Sequence, residues 1–108
     1  MTATEDGMLL RIFISESDRH QGRPLHEEIV LAARQRGLAG ATVLRGVLGY
    51  GAHSRLHTAK VLRLSEDMPL VVEIVDREER IEGFLPWLEE AVAEGLVTLE
   101  KVRVLRRR

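Results

Sequence analysis

The chain has 108 residues, 44% of them apolar and 31% charged, with no cysteine and a formal net charge of −1. That is one domain's worth of ordinary globular sequence, long enough to bury roughly two-thirds of its unfolded surface. The absence of thiols excludes disulfides and thiolate metal sites, and the apolar runs are far too short for a membrane span.

The first ten residues, "MTATEDGMLL", carry Glu5 and Asp6 and no basic, apolar leader. The expectation is a cytoplasmic protein that is not itself embedded in a membrane. Met8 to Ser15, "MLLRIFIS", has the length and the Ile and Phe content of a strand. The polar stretch "ESDRHQGR" reads as a loop. Pro24 then suits the first position of a helix, with Glu27 and Glu28 complementing its N-terminal dipole and Gly37 closing it. Leu25, Ile29, Ala32 and Ala33 form its apolar stripe.

A second β-rich run covers Ala41 to Tyr50 and is interrupted by Gly46 and Gly49. Glycine inside a strand marks a bulge or a close approach by another group. Ala59 to Leu64 alternates like a further strand, and "PLVVEIV", Pro69 to Val75, is a nearly continuous apolar one. Asp76 and Glu79 have the spacing of a capping box for a helix that buries Ile81, Phe84, Leu85, Leu88 and Val92 and ends at Gly95. Pro86 inside that pattern predicts a kink near Gly83. The final run, "LVTLEKVRVL", slips in apolar parity and predicts a bulge at Glu100–Lys101. The order, strands and helices interleaved with an antiparallel turn in the middle, predicts an α+β, ferredoxin-like βαββαβ sandwich with two helices on one face of an antiparallel sheet.

Parity then sorts the side chains. Leu10, Ile12 and Ile14 share one face with Leu70, Val72 and Ile74, purely aliphatic, and belong beneath the helices. The opposite set is Leu9, Arg11, Phe13, Val71, Glu73 and Val75, mostly apolar with a charge in the middle of each strand. Such a face is too apolar to be left in water, and closed oligomerisation is the simplest cover. Arg11 and Glu73 are expected to pair within it.

Charge is distributed unevenly. Residues 1–18 sum to −3, 19–63 to +6, 64–100 to −9 and 101–108 to +5. The basic block surrounds "GYGAHSRLHT", residues 49–58, and would draw an anionic ligand or an acidic surface. Gly49 and Gly51 offer flexible backbone N–H groups, Ser54 and Thr58 offer hydroxyls, and Arg55 is a planar fork for phosphate. His53 and His57 would aim at one metal ion on a helix, but no third ligand type stands nearby. No nucleophile-elbow sequence surrounds Ser54, so no enzyme is expected. Tyr50, Phe13, Phe84 and Trp87 are too few for a nucleic-acid stacking platform.

"GLAGATVLRG", "HTAKVLRLSEDMPLVVEIVD" and "EGLVTLEKV" occur in that order and together resemble a PII-like family of the conserved-domain type, over about Leu9 to Val104. The resemblance implies a ferredoxin-like homotrimer that binds a small anionic metabolite, such as an adenine nucleotide, between subunits. It also implies regulation of a partner such as a membrane transport protein. On that basis residues 1–108 are one PII-like domain with an ordered core at 7–105, a ligand-responsive loop at 49–58 and a basic tail at 106–108. The ligand-binding set is Arg45, Gly46, Gly49, Gly51, His53, Ser54, Arg55, His57 and Thr58, with no other cofactor expected. The trimer interface is the face of Leu9, Arg11, Phe13, Val71, Glu73 and Val75. The glycine- and lysine-rich segment that grips phosphate in classical PII proteins is replaced by "EGLVT", which points to a different or smaller ligand. The alternative is a trimeric metal-binding protein using His53 and His57.

Overall fold

The structure is a computed structural model that describes residues 3–50 and 67–106. Strand β1 (Glu5–Ser15) leads into a miniature hairpin, β2 (Arg19–His20) and β3 (Arg23–Pro24), and then helix α1 (Leu25–Gln35). Strand β4 (Thr42–Arg45) follows, and after it β5 (Pro69–Asp76), helix α2 (Glu78–Ala91) and β6 (Leu96–Val104). The main sheet is antiparallel in the order β4-β5-β1-β6. Without the hairpin this is the expected ferredoxin-like βαββαβ sandwich.

Both helices cover one sheet face. Leu10, Ile12, Ile14, Leu70, Val72 and Ile74 lie beneath them and are buried against Leu25, Ile29, Ala32 and Ala33 of α1 and Ile81, Phe84, Leu88 and Ala91 of α2. The parity read from the chain therefore holds on all six strand positions. Helix α1 ends in a Schellman motif: Leu38 N–H donates to Ala33 O, Gly37 N–H donates to Arg34 O, and Gly37 takes φ +77°. A side chain there would be strained, which is why glycine closes this helix.

Several local expectations need correction. Pro24 is the N-cap of α1 and not its first helical residue. The loop "ESDRHQGR" contains the β2–β3 hairpin, whose two turn residues, Gln21 and Gly22, both have positive φ as a tight I′-type turn requires. Its strands are too short to show an alternating pattern. The hairpin lies over the helices, with the His20 ring edge-on to Trp87 at 5.7 Å. The second β-run stops at Arg45 and does not reach Tyr50. Asp76 does not cap α2: Arg77 is the N-cap and makes no side-chain cap bond, and the Asp76 carboxylate accepts the N–H of Arg77 itself. Pro86 does lie inside α2, as expected. No bulge interrupts β6, because its register against β1 is unbroken from Leu96↔Phe13 to Val104↔Glu5. The parity slip instead exposes apolar residues on both sides of an edge strand, Leu96 and Val97 among them. The expected strand Ala59–Leu64 lies outside the described residues.

The ends of the segment between β4 and β5 are tied together. Gly46 N–H donates to Pro69 O at 2.7 Å, and Glu16 N–H donates to Met68 O at 2.8 Å. The hydroxyls of Ser15 and Ser17 both donate to Asp67 Oδ1, and Arg45 pairs with Glu16 at 3.0 Å. Among the described residues, no helix is long and apolar enough to cross a membrane.

Ile12 has no exposed surface and sits between β5 and β6 at the centre of the sheet. Ile12→Ala should therefore cost about 2–5 kcal/mol of unfolding free energy, the range for a buried aliphatic truncation. Urea denaturation followed by circular dichroism measures it; a loss below 1 kcal/mol, on the same approximate scale, would mean the core is not built on this residue.

Candidate functional site

The uncovered sheet face is organised in rows set by strand register. Thr42, Glu73, Arg11 and Thr98 are successive cross-strand partners and form a polar row across all four strands. Beside it Leu44, Val71, Phe13 and Leu96 form an apolar row, also four strands wide. Phe13, Leu44, Val75 and Leu96 are exposed, while Leu9, Arg11, Val71 and Glu73 are half-buried. All six residues assigned to an interface thus stand on one open face.

The expected Arg11–Glu73 pair is present. Arg11 Nε donates to Glu73 Oε2 at 2.9 Å, and Arg11 Nη1 donates to Glu100 Oε1 at 3.2 Å. One guanidinium on β1 so bridges carboxylates on both neighbouring strands. The hydrogen bond that Arg11 donates to Glu73, with the charges of Glu73 and Glu100, holds the guanidinium above its ordinary value against the opposing effect of partial burial.

At one end of this face lies an open cavity of about 220 Å³ lined by Ala39, Gly40, Thr42, Glu73, Val75, Asp76, Val104 and Arg106. Its floor comes from Thr42 of β4 and Glu73 and Val75 of β5. One wall is the turn after α1, and Asp76 holds that turn in place. Asp76 is only 3% exposed; its Oδ2 accepts the Ala39 N–H at 3.0 Å and its Oδ1 accepts the Arg77 N–H at 2.7 Å. A buried carboxylate is tolerable here because two backbone donors satisfy it. The other wall is the end of β6. Gly7 allows Val104 to lie close, since a Cβ on residue 7 would stand 2.8 Å from Val104 Cγ2.

Glu73, Asp76 and Arg106 are the cavity's charged lining residues. Asp76 is satisfied by backbone donors and Glu73 Oε2 by Arg11, which leaves Glu73 Oε1 as an acceptor for a hydroxyl or amino group. The cavity volume is below the roughly 300–1,000 Å³ of a complete small-molecule site.

Of the ligand-binding residues expected from sequence, Arg45 is engaged with Glu16. Gly46 is required by Pro69, whose Cγ a Cβ would meet at 2.8 Å, and Gly49 also lies beside Pro69. These three gather beside Glu16 and Pro69, at the start of the segment between β4 and β5. Arg45 is three residues along β4 from Thr42, roughly 10 Å at the rise of a strand. Gly51, His53, Ser54, Arg55, His57 and Thr58 lie outside the described residues. No group of three or more His, Cys, Asp or Glu among the described residues could hold a metal ion.

Sequence reasoning missed Ala39, Gly40, Thr42, Asp76, Val104 and Arg106. The one local signal was "GLAGAT", small residues just before a strand, a pattern with many uses. Arg106, assigned to a basic tail, lines the cavity rim.

The model of the family described as DUF190 ("Uncharacterized ACR, COG1993") matches residues 7–104. A UPF0166 protein of Aquifex aeolicus is 42% identical over 97 residues, 90% of this chain and 91% of the relative. A UPF0166 protein of Methanocaldococcus jannaschii is 32% identical over 99 residues, covering 91% of each. Among solved structures, the nitrogen regulatory PII-like protein CPII of Thiomonas intermedia, bound to ADP, AMP and bicarbonate, aligns with a TM-score of 0.67 and 19% identity. That alignment covers 98% of this chain and 94% of CPII. A putative PII-like signaling protein of Thermus thermophilus aligns with a TM-score of 0.64 and 20% identity, covering 98% and 95%. These two likenesses establish the PII-like fold.

Removing the carboxylate that fixes the cavity wall should be felt in stability. Asp76→Ala leaves the Ala39 and Arg77 N–H groups without their acceptor and should cost about 1–3 kcal/mol. Thermal unfolding reads the loss, and faster amide exchange at Ala39 than at Ile12 localises it.

Proposed function

The chain belongs to the DUF190 family, and on that premise we propose that it is a PII-like regulatory protein, not an enzyme, that binds a small metabolite on the open sheet face. The observation that carries this reading is the face itself: apolar rows around an internally paired Arg11, ending in a cavity that a single chain leaves open. Three copies packed through Leu9, Arg11, Phe13, Val71, Glu73 and Val75 would cover the apolar area and close three cavities by one symmetric contact. Edge strand β6, apolar on both sides, would be covered in the same step.

The ligand we favour is an adenine nucleotide such as ADP or AMP. The CPII structure with ADP, AMP and bicarbonate supports that choice through the shared fold. The acidic cavity would take the hydroxyl-bearing or amino-bearing part of such a molecule. The phosphates would then belong to the basic block: Arg55, the hydroxyls of Ser54 and Thr58, His53 and His57, and the backbone of Gly49 and Gly51, on the loop rooted at Arg45 and Gly46. That division fits the lack of a glycine- and lysine-rich phosphate grip after α2. Occupancy of the loop would signal to a cytoplasmic face of a partner, with a membrane transport protein as the proposed class.

Two measurements test the reading. A thermal-shift series with ADP, AMP, bicarbonate, Zn²⁺ and Cu²⁺ should show stabilisation by a nucleotide, about 2.7 kcal/mol at a hundredfold excess over Kd. Arg55→Ala should weaken that binding by about 1.5–3 kcal/mol without lowering stability. Stabilisation by Zn²⁺ or Cu²⁺ alone would favour the histidine pair as a metal site instead. Sedimentation should give a trimer for the parent and a monomer for Val71→Asp, which places an unpaired charge in the contact. A monomeric parent at micromolar concentration would reject the assembly.

A further inference from the structure

Glu73 belongs to two features at once. Its side chain lines the cavity beside Thr42 and Val75, and it is the central carboxylate of the polar row on the open face. Only Oε2 is committed, to Arg11 Nε at 2.9 Å; among the described residues Oε1 receives no hydrogen bond. Arg11 in turn has a second carboxylate, Glu100, on the opposite strand at 3.2 Å. The guanidinium therefore keeps a partner whatever Glu73 does.

We propose that Glu73 couples occupancy of the cavity to assembly of the open face, a role that rests on the reading of this face as a contact between copies of the chain. In the separate chain Glu73 is about one-third exposed, its side chain at 30%, and meets solvent water. A second copy covering the row removes that water. A carboxylate oxygen buried without a donor is unfavourable, and the single Arg11 contact serves only the other oxygen. A ligand in the cavity that presents a hydroxyl or amino donor to Oε1 restores the missing hydrogen bond. Ligand and second copy then each strengthen the binding of the other, by the same factor in both directions.

The chemistry also says which ligands act. Both Asp76 oxygens are taken by backbone N–H groups, and Glu73 Oε2 is taken by Arg11. The acceptor left among these carboxylates is Glu73 Oε1, which rewards a hydroxyl or amino donor and gives a bare anion nothing. A nucleotide carries such donors on its sugar and base. Inorganic phosphate at neutral pH also has P–OH donors, but they sit on the anion itself, with no neutral part that could enter while the charge stays outside.

The test is sedimentation velocity of the full chain over a dilution series, with saturating ADP, with inorganic phosphate, and with neither. For the parent, ADP should lower the concentration of half-assembly by about tenfold, within the usual range of coupling between sites. Phosphate should leave it unchanged. Glu73→Met removes the orphan oxygen while Arg11 keeps Glu100, so this variant should assemble at one concentration with or without ADP. Glu100→Gln touches Arg11 outside the cavity and should retain the ADP dependence. Should Glu73→Met fail to fold by circular dichroism, Glu73→Gln replaces it: its amide gives up one carboxylate acceptor for a donor, and it should likewise lose the ADP dependence. In the parent, ADP affinity must rise by the same factor when the protein is concentrated through the assembly range. An equal effect of ADP on the parent and on Glu73→Met overturns the coupling, as does an equal effect of phosphate and ADP. Nucleotide binding and assembly that are both present but independent overturn the coupling and leave the proposed function standing. A parent that neither binds ADP nor assembles overturns both.

Discussion

Everything in this molecule follows from covering a four-stranded sheet on one side only. Two helices are enough to bury Leu10, Ile12, Val72 and Ile74 under Ile29, Ile81, Phe84 and Leu88, all at or below 1% exposure. That layer holds the fold together, since burying each such side chain is worth roughly 1.5–3 kcal/mol. The price is a second face that no element among the described residues covers. Residues of alternate parity must stand there, and they are neither polar enough for water nor numerous enough to form another core.

The polar row resolves part of that tension. Arg11 bridges Glu73 and Glu100, so charge in the middle of the face is neutralised within the chain. A face with its own counterions does not need an oppositely charged partner. It can meet a copy of itself, with the apolar rows supplying contact area and the ion pairs limiting which register is acceptable. Buried ionic groups have a recognised use as register devices even where they add little stability. The cavity at the end of the row is lined by one of the same residues, Glu73, which ties the cavity to the face.

Much of the architecture was legible because period-2 and period-3.6 patterns report directly on burial. The two central strands alternate cleanly, and the stripe Leu25, Ile29, Ala32, Ala33 names the buried face of α1 residue by residue. The pattern failed where burial is incomplete. On β6 both faces are exposed, so apolar residues at Leu96, Val97 and Leu99 lose their parity, and an unbroken strand reads like a bulged one. The β2–β3 hairpin failed for a different reason: two-residue strands contain no period at all. Asp76 was read as a cap from its spacing to Glu79, a local signal, whereas its bond partners include Ala39, 37 residues away.

From the residues alone come the fold class, the helix-covered face and the composition of the open one, because each depends on alternation within a single element. The resemblance of short motifs in order added the family. Tertiary structure alone decided the site. Thr42, Glu73 and Arg11 are far apart in the chain and become one row only through the registers of β4 on β5 and β5 on β1. Ala39, Asp76, Val104 and Arg106 meet only because β6 runs the length of β1 and the turn after α1 is pinned to the end of β5. Periodicity says which way a side chain points, but only strand pairing says what stands beside it.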